Sequence, residues 1–302
     1  MPWTRIPFLF LLIFLLLVNC PQSPRRRGLI TYMPELECTD QKINPNASSV
    51  RLVTYNIHHG AGIDERVDLA RVASTLTATN ADIIFLTEVD SHWRRSGYAD
   101  QAAELATMLK LPYMAFAPAV MRREGSGTAL YGNALLSRFP IEWAERKPLP
   151  TSPLQEPRVV LSAVVRLADD ISLRIVGTHL GLSHADRLAQ AAILREMGTA
   201  YETDLRVLMG DLNAVPDSPE LQILLGTSEE GDHSPRWADP MQGSKAPATF
   251  PAYAPRNRID FILVPENLSA KVTVYTSPFS DASDHLPVLA ELSLAEGGSH
   301  QQ

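Results

Sequence analysis

From about residue 50 onward, short apolar runs alternate with stretches that have the spacing of a helix face. Short runs of mainly apolar residues bounded by polar ones predict strands near 51–57, 82–88, 113–117, 131–137, 158–167, 171–179, 206–211, 258–264, 271–277 and 286–293. Apolar residues repeating every three or four positions predict helices in 69–76, 102–109 and 189–200. A shorter helix is predicted to open at Ser218, a capping hydroxyl followed by Pro219 in the first turn.

This order of elements predicts an α/β fold. Strands outnumber helices, and helices fall between strands. We expect two mixed β-sheets that pack face to face with helices outside, in a single domain. An open, doubly wound sheet fits the first 110 residues equally well, so the pattern alone leaves both arrangements open.

The N-terminal segment, residues 1–20, differs from the rest of the chain in its long unbroken apolar run. Residues 8–18 are all apolar and follow Arg5, which is typical of a secretory signal, whereas a membrane-spanning helix needs roughly 20 such residues. The run ends at Leu17-Val18-Asn19-Cys20, which resembles a lipoprotein cleavage site except that Asn19 replaces a small residue. Against export, Arg25-Arg26-Arg27 lies just past this run, and such charges tend to stay cytoplasmic.

We therefore expect an exported protein, either periplasmic or membrane-anchored through its N-terminus; the alternative is an uncleaved, weakly anchored segment. Residues 21–49 contain four prolines and no regular period, which predicts a tether. Residues 50–296 are expected to form the folded domain and 297–302 a polar tail. The cysteines, Cys20 and Cys38, lie outside every periodic segment, so catalysis by cysteine is not expected.

The overall charge bears on the class of partner. There are 27 Lys and Arg against 34 Asp and Glu, for a formal net charge of −7. A protein that follows nucleic acid by charge needs clustered basic residues. The balance therefore disfavours a nucleic-acid substrate without excluding it, because a local basic groove can lie on an acidic body.

Polar residues that bind metals or protons recur where the predicted strands end or begin. These are Asn56, Glu88, His179, Asp211, Asn213, Asp260, Asp284 and His285. Because α/β sheets present ligands at strand ends, we expect these side chains to converge on one face. Most of them singly also fit a structural role, such as a turn or a solvated strand end. Asp260 does not, because a carboxylate between Ile259 and Phe261 is buried and needs a partner.

Taken together, these blocks resemble the endonuclease/exonuclease/phosphatase superfamily, which includes pancreatic deoxyribonuclease, abasic-site endonucleases, neutral sphingomyelinases and inositol-polyphosphate 5-phosphatases. The resemblance spans residues 50–294 and is carried by Tyr55-Asn56, Thr87-Glu88, Thr178-His179-Leu180, Gly210-Asp211-Leu212-Asn213, Ile259-Asp260 and Ser283-Asp284-His285-Leu286-Pro287-Val288. It implies a four-layer sandwich that hydrolyses a phosphoester with a divalent metal, usually magnesium, with manganese as a possibility.

The resemblance also implies roles for individual residues. The metal ligands would be Asn56, Glu88 and Asp284, with Glu88 as the principal carboxylate; magnesium prefers oxygen ligands and keeps several waters. Asp211 would orient or deprotonate the attacking water, and Asn213 would fix that water or a phosphoryl oxygen. His179 and His285 would donate to the non-bridging oxygens, and Asp260 would hold His285. Asn133, in Tyr131-Gly132-Asn133, resembles a block that lines the substrate site.

Other positions bear on the choice of substrate. Glu88 is followed by Val89-Asp90 and Asn56 is preceded by Tyr55, whereas abasic-site endonucleases have Thr-Lys and Trp there. The blocks at 55–60 and 88–90 instead resemble a bacterial branch of metal-dependent hydrolases that is closer to sphingomyelinase-like enzymes. Arg94 and Arg95 could bind a second phosphate or a head group, or belong to a solvated loop. His58-His59 suggests a transition-metal site, but the sequence contains no regularly spaced partner.

The leading hypothesis is a metal-dependent phosphodiester hydrolase that acts outside the cytoplasm on a lipid or small phosphodiester. The first alternative is an endonuclease or exonuclease on DNA or RNA. A catalytically silent binding module is less favoured, because every expected acid and histidine is present. The sequence indicates no obligate protein partner, and we expect a monomer.

Overall fold

The computed structural model describes residues 25–27, 31–32, 48–199, 205–226, 237–242 and 246–294. The predicted signal segment and the predicted tail lie outside these residues. Two short strands fall within the range predicted to be a tether, so backbone pairing begins before residue 50. None of the helices in the described ranges is long and apolar enough to cross a membrane.

Fourteen strands form two seven-stranded sheets in the described part of the chain. The first sheet has the order β1-β7-β8-β9-β10-β12-β11, with β1 Arg25–Arg27, β7 Ile141–Pro148, β8 Val159–Arg166, β9 Ser172–His179, β10 Arg206–Asp211, β12 Asp260–Pro265 and β11 Trp237–Ala238. The second has the order β13-β14-β3-β4-β6-β5-β2, with β13 Val272–Thr276, β14 Val288–Ser293, β3 Ser49–Asn56, β4 Ile83–Ser91, β6 Gly127–Ser137, β5 Tyr113–Glu124 and β2 Thr31–Tyr32.

Helices cover the outer faces of both sheets. They are α1 Leu69–Thr79, α2 Gln101–Leu109, α3 His184–Thr199 and α4 Pro219–Leu225, with 3₁₀ turns at His58–Gly60, Arg94–Ser96 and Glu266–Lys271. One apolar cluster joins the inner faces of the sheets, for example Phe85 of β4 and Met209 of β10. A second joins α1 and α2 to the second sheet, and a third joins α3 and α4 to the first. The predicted sandwich is confirmed, and the open doubly wound sheet is wrong.

The sequence pattern located most elements but missed four strands: β1 and β2, in the range predicted to be a tether, and two within the domain. The predicted cap is present, because the Ser218 side chain accepts from the Leu221 backbone N–H. Strand Ile141–Pro148 was not predicted, because apolar and charged residues are mixed in it without a regular alternation and only two of its eight residues are buried. Strand Trp237–Ala238 is too short for a periodic signal.

The directions of the strands bring several strand ends to one edge of the sandwich. Strands β3 and β4 run parallel, as do β9 and β10, where Asp211 lies opposite His179. Strand β12 runs antiparallel to β10 and begins with Asp260 opposite Asp211. Strand β14 runs antiparallel to β3, so its beginning lies near Asn56. The polar residues at these termini therefore share one edge, as the sequence predicts.

Candidate active site

The side-chain amide of Asn56 lies at the centre of this edge and links the two sheets. Its Nδ2 lies 3.0 Å from Glu88 Oε1 and 3.0 Å from Asp211 Oδ2, and donates to both. The same nitrogen lies 3.4 Å from Nε2 of His285. Its Oδ1 accepts from the His58 backbone N–H at 3.0 Å and retains a second lone pair for a ligand. Asn56 is 1% exposed, so these contacts are shielded from water.

Glu88 reaches the site through an irregularity in β4. The register between β4 and β6 shifts between Leu86 and Val89, and Glu88 has a φ of 59°. A bulge of this kind redirects a side chain out of the regular alternation, and left-handed backbone at a non-glycine residue is strained. Burial raises the pKa of the Glu88 carboxyl, against the hydrogen bond from Asn56 and the charge of nearby imidazoles.

The position of Asp211 depends on the preceding residue, Gly210. Gly210 has a φ of 143°, and a Cβ there would collide with the Thr178 carbonyl oxygen of β9. Only glycine allows the two strands to approach so closely. The Asn213 backbone N–H donates to Asp211 Oδ1 at 2.8 Å. Burial and the neighbouring Asp260 carboxylate raise the pKa of Asp211 to about 7, against the imidazole and amide groups that contact it.

The predicted pair between Asp260 and His285 is present. His285 Nδ1 lies 2.9 Å from Asp260 Oδ2, and Asp260 is 0% exposed. Within the described part of the chain, Asp260 Oδ1 has no hydrogen-bond partner. Phe250 packs on the imidazole at 4.8 Å between ring centroids. Burial by itself lowers the pKa of His285, but the carboxylates of Asp260, Asp211 and Asp284 outweigh it and raise the pKa to about 10. This imidazole is therefore cationic at neutral pH.

His179 also lies beside Asp211, but its imidazole favours the neutral form. Its Nε2 is 3.0 Å from Asn213 Nδ2 and 3.4 Å from Asp211 Oδ2. Burial, together with the charges of Arg158 and His285, lowers the pKa of His179 well below its usual range. The two histidines that the sequence predicts as equivalent donors therefore differ, because only His285 has a dedicated carboxylate partner.

Asp284 lies at the margin of the cluster and is half-buried. Its Oδ1 lies 3.3 Å from Ser283 Oγ and 3.8 Å from His58 Nδ1. Its negative charge contributes to the raised pKa of Glu88. Glu88 and Asp284 carry carboxylates, the ligand type that a hard divalent cation prefers, and their electrostatic interaction places them near each other. That they bind a metal together with Asn56 stays a prediction.

Asn133, predicted to contact substrate, lies between the sheets. It is 3% exposed, and its Nδ2 donates at 3.1 Å to the Val159 carbonyl oxygen of β8. Asn133 belongs to β6 of the second sheet, so this bond joins the two sheets beside the bulge at Glu88. Its contact with a substrate stays a prediction.

The arginines predicted to bind substrate lie in the loop after β4. Arg95 forms a two-pronged ion pair with the fully buried Asp90, at 2.8 and 2.7 Å. Its guanidinium also lies 4.8 Å from the centre of the Trp93 ring and 5.2 Å from that of Tyr131. Arg94 is exposed in the 3₁₀ turn. Arg95 is thus held in place by Asp90, and the role of both arginines in binding stays a prediction.

Sequence reasoning missed Arg158, which approaches the site from the start of β8. It is 6% exposed, its Nε donates to the Leu180 carbonyl oxygen at 3.1 Å, and it forms an ion pair with Glu156. Its charge contributes to the lowered pKa of His179. The only sequence signal is an arginine directly before an apolar strand, which is too common to indicate a site.

Comparisons with known proteins agree with this geometry. A family model described as "Endonuclease/Exonuclease/phosphatase family" matches residues 53–285. Because this is more than half of the chain, the protein belongs to that family, whose members are hydrolases of the phosphatase and nuclease type. The family predicted from the sequence blocks is therefore confirmed. The "Uncharacterized protein YbhP" of Escherichia coli (strain K12) is 27% identical over 261 residues, which cover 82% of this chain and 97% of that protein.

Solved structures share the fold. An endonuclease/exonuclease/phosphatase from Beutenbergia cavernae has a TM-score of 0.62 at 21% identity, covering 82% of this chain and 72% of that one. The mannosyl-6-phosphatase Bt3783 of Bacteroides thetaiotaomicron has a TM-score of 0.61 at 17% identity, covering 82% and 100%. Truncated TDP2 of Caenorhabditis elegans has a TM-score of 0.55 at 19% identity, covering 81% and 97%. At these identities the likeness concerns the fold.

Proposed function

We propose that this member of the endonuclease/exonuclease/phosphatase family is a metal-dependent phosphodiester hydrolase that acts on a lipid or small phosphodiester outside the cytoplasm. The observation that carries the proposal is the meeting of Glu88, Asp211 and His285 on one amide, that of Asn56, within 3.4 Å. Phosphoryl transfer needs an acceptor for the proton of the attacking water and donors toward the phosphoryl oxygens. This cluster contains both.

The residues divide these tasks by charge. Asp211, with a pKa of about 7, can exchange a proton with water near neutral pH, which is the requirement for a general base. His285, held by Asp260 and cationic, donates toward a phosphoryl oxygen. Glu88, Asp284 and the Asn56 carbonyl would hold a divalent cation, which when bound neutralises charge on the phosphoryl group.

The surface around the site supports a lipid or amphipathic substrate. Four large hydrophobic side chains that are exposed lie on loops within five residues of His179, Asn213, Phe250 or Asp284: Leu182, Val215, Tyr253 and Phe279. Because these loops extend from the strand ends at the site, we infer that their side chains border it, and we call them the apolar rim. An apolar rim around a polar centre is suited to contact with a lipid surface.

A nuclease remains the alternative, and one cluster near the site bears on it. Arg122 and Arg95 both lie over the Trp93 ring, at 4.1 and 4.8 Å, which is the kind of surface that stacks bases. Each of these arginines, however, is paired with a carboxylate, Glu124 or Asp90. The cluster therefore carries little net positive charge, whereas nucleic-acid binding needs free cations.

A substrate panel tests the proposal. The purified full chain is assayed with magnesium or chelator against sphingomyelin and phosphatidylinositol vesicles, bis-p-nitrophenyl phosphate, p-nitrophenyl phosphate and plasmid DNA. We expect metal-dependent cleavage of diesters, fastest on vesicles. Faster cleavage of plasmid DNA than of any lipid would favour the nuclease, and inertness toward every substrate would favour the binding module. Membrane attachment through residues 1–20 is tested by fractionating cells that express the chain with and without them.

The apolar rim allows a sharper version of the test. Replacing Tyr253 and Phe279 by Ser should slow cleavage of vesicles while leaving cleavage of soluble bis-p-nitrophenyl phosphate unchanged. Met108→Ser is the matched control, because Met108 is 47% exposed on helix α2 and outside the rim. Equal loss on both substrates, or equal loss in the control, would contradict a lipid-facing rim.

A further inference from the structure

Two histidines that the proposed mechanism does not use lie directly beside Glu88. His58 and His59 are in the 3₁₀ turn after β3, and one ligand atom of each, together with one oxygen of Glu88, lies within 4.8 Å of the others. The two imidazole rings are nearly perpendicular, with 4.5 Å between centroids and 71° between planes. The carboxylate of Asp284 faces the same turn, 3.8 Å from His58 Nδ1.

The turn is held rigidly by bonds to both neighbouring elements. The His58 backbone N–H donates to Asn56 Oδ1 at 3.0 Å, and the His59 carbonyl accepts from Gln101 Nε2 at 2.6 Å. Both histidines have left-handed backbone, with φ of 43° and 45°. Such conformations are unfavourable for residues other than glycine and persist where the surroundings enforce them. The backbone that carries the two rings is therefore held in place by its neighbours.

Each of these rings has an unsatisfied nitrogen. Nδ1 of His58 and Nδ1 of His59 are both buried, and neither has a hydrogen-bond partner among the described residues. A buried polar atom without a partner is unfavourable. With His58 Nδ1 facing the Asp284 carboxylate beyond hydrogen-bonding distance, a cation between them would satisfy both groups.

We propose that His58, His59 and Glu88 bind a first-row transition-metal ion, with Asp284 as a further ligand. Imidazole nitrogens suit manganese, zinc and neighbouring ions, whereas magnesium prefers oxygen ligands. Two nitrogens and one or two carboxylates therefore select a transition metal over magnesium. The inference deepens the proposed function, because it shares Glu88 and names the class of metal. It also reverses the sequence-based argument against such a site, which had no partner for the paired histidines.

The test measures metal binding as well as activity. The full chain is stripped with chelator and titrated calorimetrically with Mn²⁺, Zn²⁺ and Mg²⁺, and the Mn²⁺ complex is studied by pulsed electron paramagnetic resonance. We expect Mn²⁺ to bind at least about tenfold tighter than Mg²⁺ and to show modulation from coordinated nitrogen. His59→Gln and His58→Gln should each weaken Mn²⁺ binding by about 10–100-fold, leave Mg²⁺ binding within about twofold, and reduce the nitrogen signal.

Two further variants separate this inference from the proposed function. Glu88→Gln should weaken binding of all three ions, and His184→Gln should change nothing, because His184 pairs with Glu220 on the surface at the start of α3. Absence of nitrogen modulation, with unchanged Mn²⁺ affinity in both histidine variants, would overturn the inference and leave the proposed hydrolase intact. Nitrogen-coordinated Mn²⁺ in a protein inert toward every phosphoester would uphold the inference and overturn the hydrolase. Thermal unfolding of each variant confirms that it is folded.

Discussion

At its first residues strand β3 presents two donors to one carboxylate, whereas at its last residue it presents one amide to two carboxylates. Ser49 Oγ and Arg51 Nε donate to Glu291 at 2.7 and 3.1 Å, and the Ser49 hydrogen bond, followed by Arg51, lowers the pKa of Glu291. At the other end Asn56 donates to both Glu88 and Asp211. Burial raises the pKa of each of these acids.

The structural end of strand β3 and the candidate site at its other end differ in how their carboxylates are stabilised. At the Ser49 end, donors outnumber carboxylates, and ionisation of Glu291 stabilises the fold. At the Asn56 end, two carboxylates share one amide in a place shielded from water, and burial outweighs the hydrogen bond, so ionisation of Glu88 opposes folding. Three residues with left-handed backbone also lie at this end: His58, His59 and Glu88. Unsatisfied charge and strain of this kind are typical of functional sites.

The largest effect that would test this contrast is expected from Glu88→Gln. The amide keeps the shape of the side chain but removes the principal carboxylate, so turnover with magnesium should fall by several orders of magnitude. Because the raised pKa of Glu88 means that its ionised form opposes folding, the melting temperature should not fall. Turnover and thermal unfolding are measured in parallel, with Glu291→Gln as the control that keeps full turnover. Full activity of Glu88→Gln in chelator would refute the metal assignment.

The next effect is expected from Asp211→Asn. Loss of a general base typically costs ~10²–10⁴-fold in turnover, and metal affinity should change little. A base acts when deprotonated, so wild-type turnover should rise with pH through about 7, the pKa of Asp211, and the variant should lose that rise. Steady-state rates across the pH range check this. Activity within about threefold of wild type would require another base.

A third effect concerns the coupling of Asp260 and His285. Asp260→Asn and His285→Ala should each lower turnover sharply, because the carboxylate holds the ring and keeps it cationic. The double variant should be little worse than the worse single one, since residues that act as a unit are not additive. Turnover of all four proteins closes the double-mutant cycle, and fully additive losses would show that the two residues act independently.

The smallest effect is expected at the opposite end of β3. Glu291→Gln should lower the free energy of unfolding at pH 7 by no more than about 1 kcal/mol, as for a partly exposed ion pair. The folded-state pKa of Glu291 is lowered, so this stability is present above the ordinary glutamate pKa of about 4.3 and is lost as pH falls through the folded value. Urea unfolding at pH 7 and at about pH 3 measures it. A difference between the two proteins that persists in acid would point to packing rather than charge.

Much of the fold and part of the site followed from local pattern. Apolar periodicity located most strands and helices, because an element that buries one face needs apolar residues at its own structural period. The same reasoning applied to Asp260: flanked by Ile259 and Phe261, it had to be buried and therefore partnered, and His285 is that partner. The polar blocks at strand ends also sufficed to predict the family, because they occur along the chain in the same order as the motifs of that family.

How segments distant in sequence meet depends on strand pairing and packing, which local pattern does not record. Strand Ile141–Pro148 is fixed by pairing with β8. Its own mixture of apolar and charged residues is only a weak signal for a strand. The two-sheet arrangement depends on pairings such as that of β14 with β3, far apart in sequence. Sequence did not show that Arg95 pairs with Asp90. Nor did it show that Glu88 is the third partner of His58 and His59, because Glu88 reaches them through the bulge in β4. Sequence pattern records which faces are buried, but distances between side chains are set by strand pairing and packing across the whole domain.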